Sequence, residues 1–205
     1  MGVRQASIAG IPVWIARLSF SGEMAYEVYC GAGWGQALWD ALMKAGKRYN
    51  IVPYGLEALS TLRIEKGHVA GPELNGRTTP LDLGLGGMVS SKKNFVGASL
   101  LKREAFHEEG RLQLVAIKSI DGQRIRGGSH LVKGQKDEPG RSEGNTTSTC
   151  FSPELECYIS LALLEGGASR HGEKMYATNP VRDGHVAVEV INPHMVDPKG
   201  GRMHG

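Results

Sequence analysis

The stretch YGLEALSTLRIEKG, residues 54–67, carries more of the reading than any other in this chain. Pro53 precedes it, which suits the start of a helix. Ala58, Leu62 and Glu65 fall at i, i+4 and i+7 on one face, with Leu59 widening the apolar stripe. Gly67 follows the last turn, where a residue free to adopt positive φ ends a helix. Glu65 is the odd member, because a helix C-terminus carries partial negative charge and disfavours an acid. Arg63 and Lys66 flank it. One reading is a rim acid paired with either neighbour; the other is a carboxylate held at the end of an apolar face for a ligand.

Outward from this helix the chain has a mixed first half. PVWIARLSF, residues 12–20, alternates, with Trp14, Ala16, Leu18 and Phe20 on one side. AYEVYC, residues 25–30, alternates again, and Ser21-Gly22 between them is a turn signal, so the pair reads as a hairpin. The period then changes. Trp34, Leu38, Ala41, Leu42 and Ala45 form a helical stripe. KREAFHEEGR, residues 102–111, is charged and ends near a glycine, and it reads as a boundary. Beyond it LQLVAIK, CYISLALL and GHVAVEVI read as strands separated by glycine-rich turns. No helix pattern follows Glu109. The predicted fold is α+β followed by a small antiparallel β-barrel, with domains at residues 1–103 and 110–205.

Composition bounds the function. The chain has 205 residues, 40% apolar and 22% charged, with a net charge of +3. That bias is too small, and too evenly spread, for a nucleic-acid partner. No apolar run reaches the roughly 20 residues of a membrane span, and no hydrophobic signal core opens the chain, so a cytoplasmic location is expected. Cys30, Cys150 and Cys157 make no CxxC pair, and none of the seven histidines pairs at i, i+4, so no metal site is expected. GLGG, residues 84–87, begins like a dinucleotide fingerprint but has Val89 in place of the third glycine.

Four ordered motifs do more: RLSFSGEMAYEV (17–28), YGLEALSTLRIEKG (54–67), TTPLDLGL (78–85) and SKKNFVGASLL (91–101). With SPELECYISLALLEGG, GEKMYA and the ending NPHMVDPKGGRMHG, they resemble the folate-dependent aminomethyltransferase family. Its members include the glycine cleavage T-protein and the C-terminal part of sarcosine oxidase alpha subunits. FSGE and the DP-x-G ending lean toward the sarcosine oxidase alpha branch. The resemblance implies a folate-binding α+β region followed by the family's C-terminal barrel. It implies a segment that binds tetrahydrofolate and supports transfer of a one-carbon unit from oxidised sarcosine.

Residue by residue, the glutamate of the family's LR-[LI]-E-x-G helix is Glu65, which the resemblance places on the pterin edge. Two parallel N–H donors of a pterin match a carboxylate as an arginine fork does. Arg63 and Lys66 beside it would keep the acid ionised, or stand solvated. The family's basic residue after TP-x-[DE]-x-G-L corresponds to Lys93, with Lys92 its neighbour; either serves an anionic glutamyl tail or forms a solvated basic turn. Glu23 of FSGE is a folate candidate or a turn residue. Relatives usually carry an acidic D-x-D-G stretch where this chain has ELNG, residues 73–76.

No catalytic residue is assigned. The family's catalytic aspartate lies before the FSGE segment, so the chain alone is expected to be inactive. Flavin and NAD are expected only in a complete enzyme, not on this chain. The partners implied are folate and other sarcosine oxidase subunits or an upstream alpha-subunit region, with self-association as a further expectation. The alternative is a non-catalytic binding or interaction module of the same descent.

Overall fold

The computed structural model describes residues 2–204. Met1 and Gly205, the outer ends of the two expected domains, lie outside the described residues. The chain forms two compact units: residues up to Leu62 together with those from Lys199 on, and Arg63–Pro198. The charged segment 102–111 thus lies inside the second unit.

In the first unit, strands β1 (Val3–Ile8), β2 (Ile11–Ala16) and β3 (Glu27–Cys30) form an antiparallel sheet in that order. The hairpin expected between residues 12 and 30 is present, with Val13 opposite Cys30 and Ala16 opposite Glu27. β1 adds a strand that its mixed polar sequence, VRQASI, did not signal. The buried face of β2 is Ile11, Val13 and the half-buried Ile15, which pack with Leu38. On the opposite face Ala16 is buried, but Trp14 is not. Trp14 is half exposed, because helix α1 (Gly35–Gly46) presents Leu38 to the other side of the sheet. Alternation identified a strand but could not tell which face another element would cover. Helix α2 (Leu56–Lys66) begins in this unit and ends in the second.

The second unit is built around a closed barrel of β4 (Leu112–Ser119), β7 (Cys157–Glu165), β6 (Gly144–Ser152), β5 (His130–Val132), β8 (Lys174–Asn179) and β9 (Gly184–Ile191), in that order and all antiparallel. Two apolar clusters explain the unbroken runs of β4 and β7. Val115, Ile117, Ala162 and Leu164 point inward with Met175, Val186 and Val188. Leu114, Ala116, Leu161 and Leu163 point outward but are also buried, under Ile64 and Leu83. A strand covered on both faces reads as a continuous apolar run rather than an alternating one. β6 is different. Its sequence GNTTSTCFS offers little apolar signal, and its hydroxyls take their partners from other segments.

The TTPLDLGL motif fastens this cover to the barrel. Asp82 accepts from Thr79 N at 2.8 Å and Thr79 Oγ1 at 2.9 Å. Arg111 forks onto the same carboxylate, Nε to Oδ1 at 2.9 Å and Nη2 to Oδ2. The Asp82 carbonyl then accepts from Leu114 N of β4 at 2.8 Å. Burial opposes ionisation of Asp82, but the Arg111 fork and the Thr79 bonds outweigh it and hold the carboxyl below its ordinary value of 3.8. A depressed carboxylate pKa contributes stability above the unfolded-state pKa, and that contribution is lost as pH falls through the folded-state value. The stability gap between the parent and Asp82→Asn should therefore be full at pH 7 and close progressively below about pH 4. Urea unfolding across this range measures it; a gap independent of pH would refute the assignment.

Candidate functional site

The last turn of α2 is the centre of the site. Periodicity predicts one buried stripe along this helix. Instead Arg63, Ile64, Glu65 and Lys66 are all buried, while Ala58 is exposed. The end of the helix, not one face, enters the second unit. Such an end needs partners for its free carbonyls, and each has one. The Arg63 carbonyl accepts from His68 N at 2.9 Å, and that of Ile64 from Gly67 N at 3.0 Å. The Glu65 carbonyl accepts from Met195 N at 3.2 Å and Val196 N at 2.9 Å. The Lys66 carbonyl lies 3.1 Å from His194 Nδ1. Residues 193–196 therefore cap the helix across the fold, and Gly67 turns the chain away with φ +79°.

The flanking cations do not pair with Glu65. Arg63 Nη1 lies 3.3 Å from Glu73 Oε2, and Nη2 donates to Ser148 Oγ at 2.6 Å. Ser148 donates onward to Glu73 Oε1 at 2.6 Å, and Ala70 N donates to Glu73 Oε2 at 2.8 Å. Glu73 is wholly buried, so a desolvated ion pair with most of its hydrogen-bonding capacity met joins the helix end to β6. A β-bulge between Thr146 and Thr149 breaks the β6 register where Ser148 lies. Lys66 Nζ pairs with Asp197, 3.1 Å from Oδ2, and donates to the Asp197 carbonyl at 2.5 Å.

Glu65 is held by a neutral group. Ser152 Oγ, at the end of β6, donates to Glu65 Oε1 at 2.5 Å. Ser152 in turn accepts from Leu155 N at 3.0 Å. Among the described residues nothing donates to Oε2, which keeps its full accepting capacity. A buried carboxylate fixed through one oxygen and open at the other can take a polar N–H edge. Ile64, 2% exposed, lies next to it in the chain.

The other expected site residues are placed differently. Lys92 and Lys93 are exposed in the bend after Met88, and among the described residues neither side chain has a hydrogen-bond or ion-pair partner. Glu23 lies in the first unit. Its backbone closes a turn with Ser19 and Ser21, and its carboxylate pairs with Arg202 at 3.4 Å. Arg63 is fully engaged by Glu73, Ser148 and the His68 carbonyl. Ser152 and Glu73 were not expected. Glu73 stands in ELNG, where the sequence looked merely short of acids. Among the described residues no group of three His, Cys, Asp or Glu could hold a metal ion, and no helix is long and apolar enough to cross a membrane.

Two family models match the chain: the GCVT N-terminal domain over residues 1–93, and the glycine cleavage T-protein C-terminal barrel domain over residues 113–197. The sarcosine oxidase subunit alpha of Rhizobium meliloti (strain 1021) is 44% identical over 191 residues, covering 92% of this chain and 19% of that protein. The aminomethyltransferase of Geobacillus kaustophilus (strain HTA426) is 35% identical over 172 residues, covering 82% of this chain and 45% of that protein. The crystal structure of glycine cleavage system aminomethyltransferase T from Bartonella henselae superposes with a TM-score of 0.76 at 25% identity, covering 91% of this chain and 50% of that one. The chain thus spans about a fifth of the sarcosine oxidase relative and about half of the aminomethyltransferases.

Proposed function

On the premise that this chain belongs to the glycine cleavage T-protein family of aminomethyltransferases, we propose that it is the tetrahydrofolate-binding segment of a sarcosine oxidase alpha-type subunit. The observation that carries this reading is Glu65, buried and held through one oxygen by Ser152 while the other oxygen stays open. The donor set fits the group. A carboxylate in a low-dielectric setting matches the paired N–H donors of a pterin edge, and charge-assisted bonds of this kind are the strong ones. Arg63 and Lys66 serve the scaffold, because each is matched by its own carboxylate. Lys92 and Lys93, exposed and unpaired among the described residues, offer charge to an anionic glutamyl tail.

When bound, tetrahydrofolate supplies the amine nucleophile that takes up a one-carbon unit from oxidised sarcosine. Glu65 orients the ring, and the fixed end of α2 keeps Glu65 in place; orientation of this kind is a large part of what such sites contribute. The partners are other sarcosine oxidase subunits or the remainder of an alpha subunit, in the cytoplasm. Trp14, Tyr29, Trp34 and Trp39, each about half exposed in the first unit, suit such a contact.

Calorimetry with tetrahydrofolate tests this. Glu65→Gln keeps an acceptor but loses the charge and adds a donor facing the pterin N–H groups. The expected loss is about 1.5–3 kcal/mol, roughly tenfold to a hundredfold in Kd. Equal affinities for parent and variant, or no binding by the parent, would overturn the reading.

A further inference from the structure

We propose that a second cleft, beside Arg77, binds a small organic carboxylate. This cleft, of about 350 Å³, lies wholly in the second unit. Its size is at the lower end of small-molecule sites. It opens between the ELNGRT segment and the start of β6, lined by Asn75, Arg77, Thr78 and Asn145, with Leu112 and Leu163 supplying apolar surface. β6 runs seven residues from Asn145 to Ser152, the partner of Glu65. At the rise of a strand that is roughly 20 Å, so the cleft is distinct from the Glu65 site and does not rest on the folate reading.

The charges around the cleft define its ligand. Arg111 also lines it, but that guanidinium is charge-matched by Asp82, with Nη1 donating to the Ala105 carbonyl and Nη2 to the Arg77 carbonyl. Glu73, beneath the same segment, is matched by Arg63. Arg77 is the cation left over: among the described residues its side chain has no acceptor. The amide groups beside it add donors. Asn75 uses its Oδ1 to accept from Arg77 N at 2.9 Å, which turns its NH₂ away from that bond, and Asn145 uses one amide N–H on the Thr146 carbonyl at 3.2 Å.

The cleft therefore has one uncompensated positive charge, a planar guanidinium fork, spare amide donors and an apolar floor. A single planar anion with a short carbon chain answers all four. The fork matches the two oxygens of a carboxylate, and Leu112 and Leu163 suit its methylene groups. A phosphate dianion would leave charge unmatched against one arginine.

Amide proton–nitrogen NMR spectra of the full chain, titrated with butyrate, test the proposal. Saturable shifts are expected at Asn75, Arg77, Thr78 and Asn145. Arg77→Gln should weaken butyrate at least about tenfold, and Arg77→Lys, which keeps the charge but loses the fork, should fall between. The thermal midpoint should not move, since the Arg77 side chain has no protein partner. Inorganic phosphate and butylamine should give no saturable shift at these four residues. Unchanged butyrate affinity in Arg77→Gln, phosphate binding there more tightly than butyrate, absence of saturable shifts, or a lowered midpoint in Arg77→Gln would each overturn it. Glu65→Gln should leave the butyrate response intact.

Discussion

Replacing Glu73 with alanine is expected to destabilise the protein by about 3–5 kcal/mol, the cost of stranding one partner of a buried ion pair. Glu73 is fully buried and accepts from Arg63, Ser148 and Ala70 N. Its loss leaves a guanidinium with 8% side-chain exposure without its counter-charge, and leaves the Ala70 N–H without an acceptor. For a chain of this size, each kcal/mol lowers the thermal midpoint by roughly 2–4 °C, so a fall of about 10 °C is expected by differential scanning calorimetry. Glu73→Gln should cost less, since an amide oxygen still accepts from Ser148 or Ala70. The double replacement Arg63→Met with Glu73→Leu should also cost less than the alanine variant, because no buried charge is then left unmatched. A shift under about 2 °C for Glu73→Ala would mean that water reaches this pair.

Gly67→Ala is the second large effect. Two independent penalties meet at this position. Its φ of +79° is in the left-handed region, which costs a residue with a Cβ roughly 1–2 kcal/mol. The added Cβ would also stand 2.3 Å from the Pro193 carbonyl oxygen and 3.0 Å from His194 Nδ1. Both obstacles belong to the segment that caps α2, so relief of the clash must disturb the bonds to the Glu65 and Lys66 carbonyls. Overpacking of this kind adds about 1–3 kcal/mol. The expected total, about 2–5 kcal/mol, is readable from urea unfolding. Gly76→Ala is the control: its Cβ meets nothing within 4 Å and its φ is not positive, so it should be neutral or slightly stabilising. Equal stability of Gly67→Ala and the parent would show that the helix cap yields freely. Tetrahydrofolate affinity should fall with Gly67→Ala as well, because Glu65 sits on the turn that the cap holds.

The sequence by itself determined the elements whose signal is local. The helical segments α1 and α2, the glycine stop at position 67, the hairpin turn at Ser21-Gly22 and the apolar runs of β4, β7 and β9 follow from residues a few places apart. Mixed helix and sheet followed by a barrel was legible for that reason. Glu65 was singled out from its place on one helical face, whereas the structure buries the whole helix end.

Only the tertiary structure decided the partners. Ser148 meets Arg63 across 85 residues and Ser152 meets Glu65 across 87, and no local pattern encodes contacts so distant. β6 was missed for the same reason: Thr146, Ser148 and Ser152 are tolerable inside the fold only because closure brings donors and acceptors to them, and an isolated polar strand gives no sign of that. The nearest opposite charge in the chain was likewise a poor guide. Lys66 stands next to Glu65, yet it reaches Asp197, because successive side chains on a helix point about 100° apart. Direction and desolvation, set by the assembled second unit, chose each pairing.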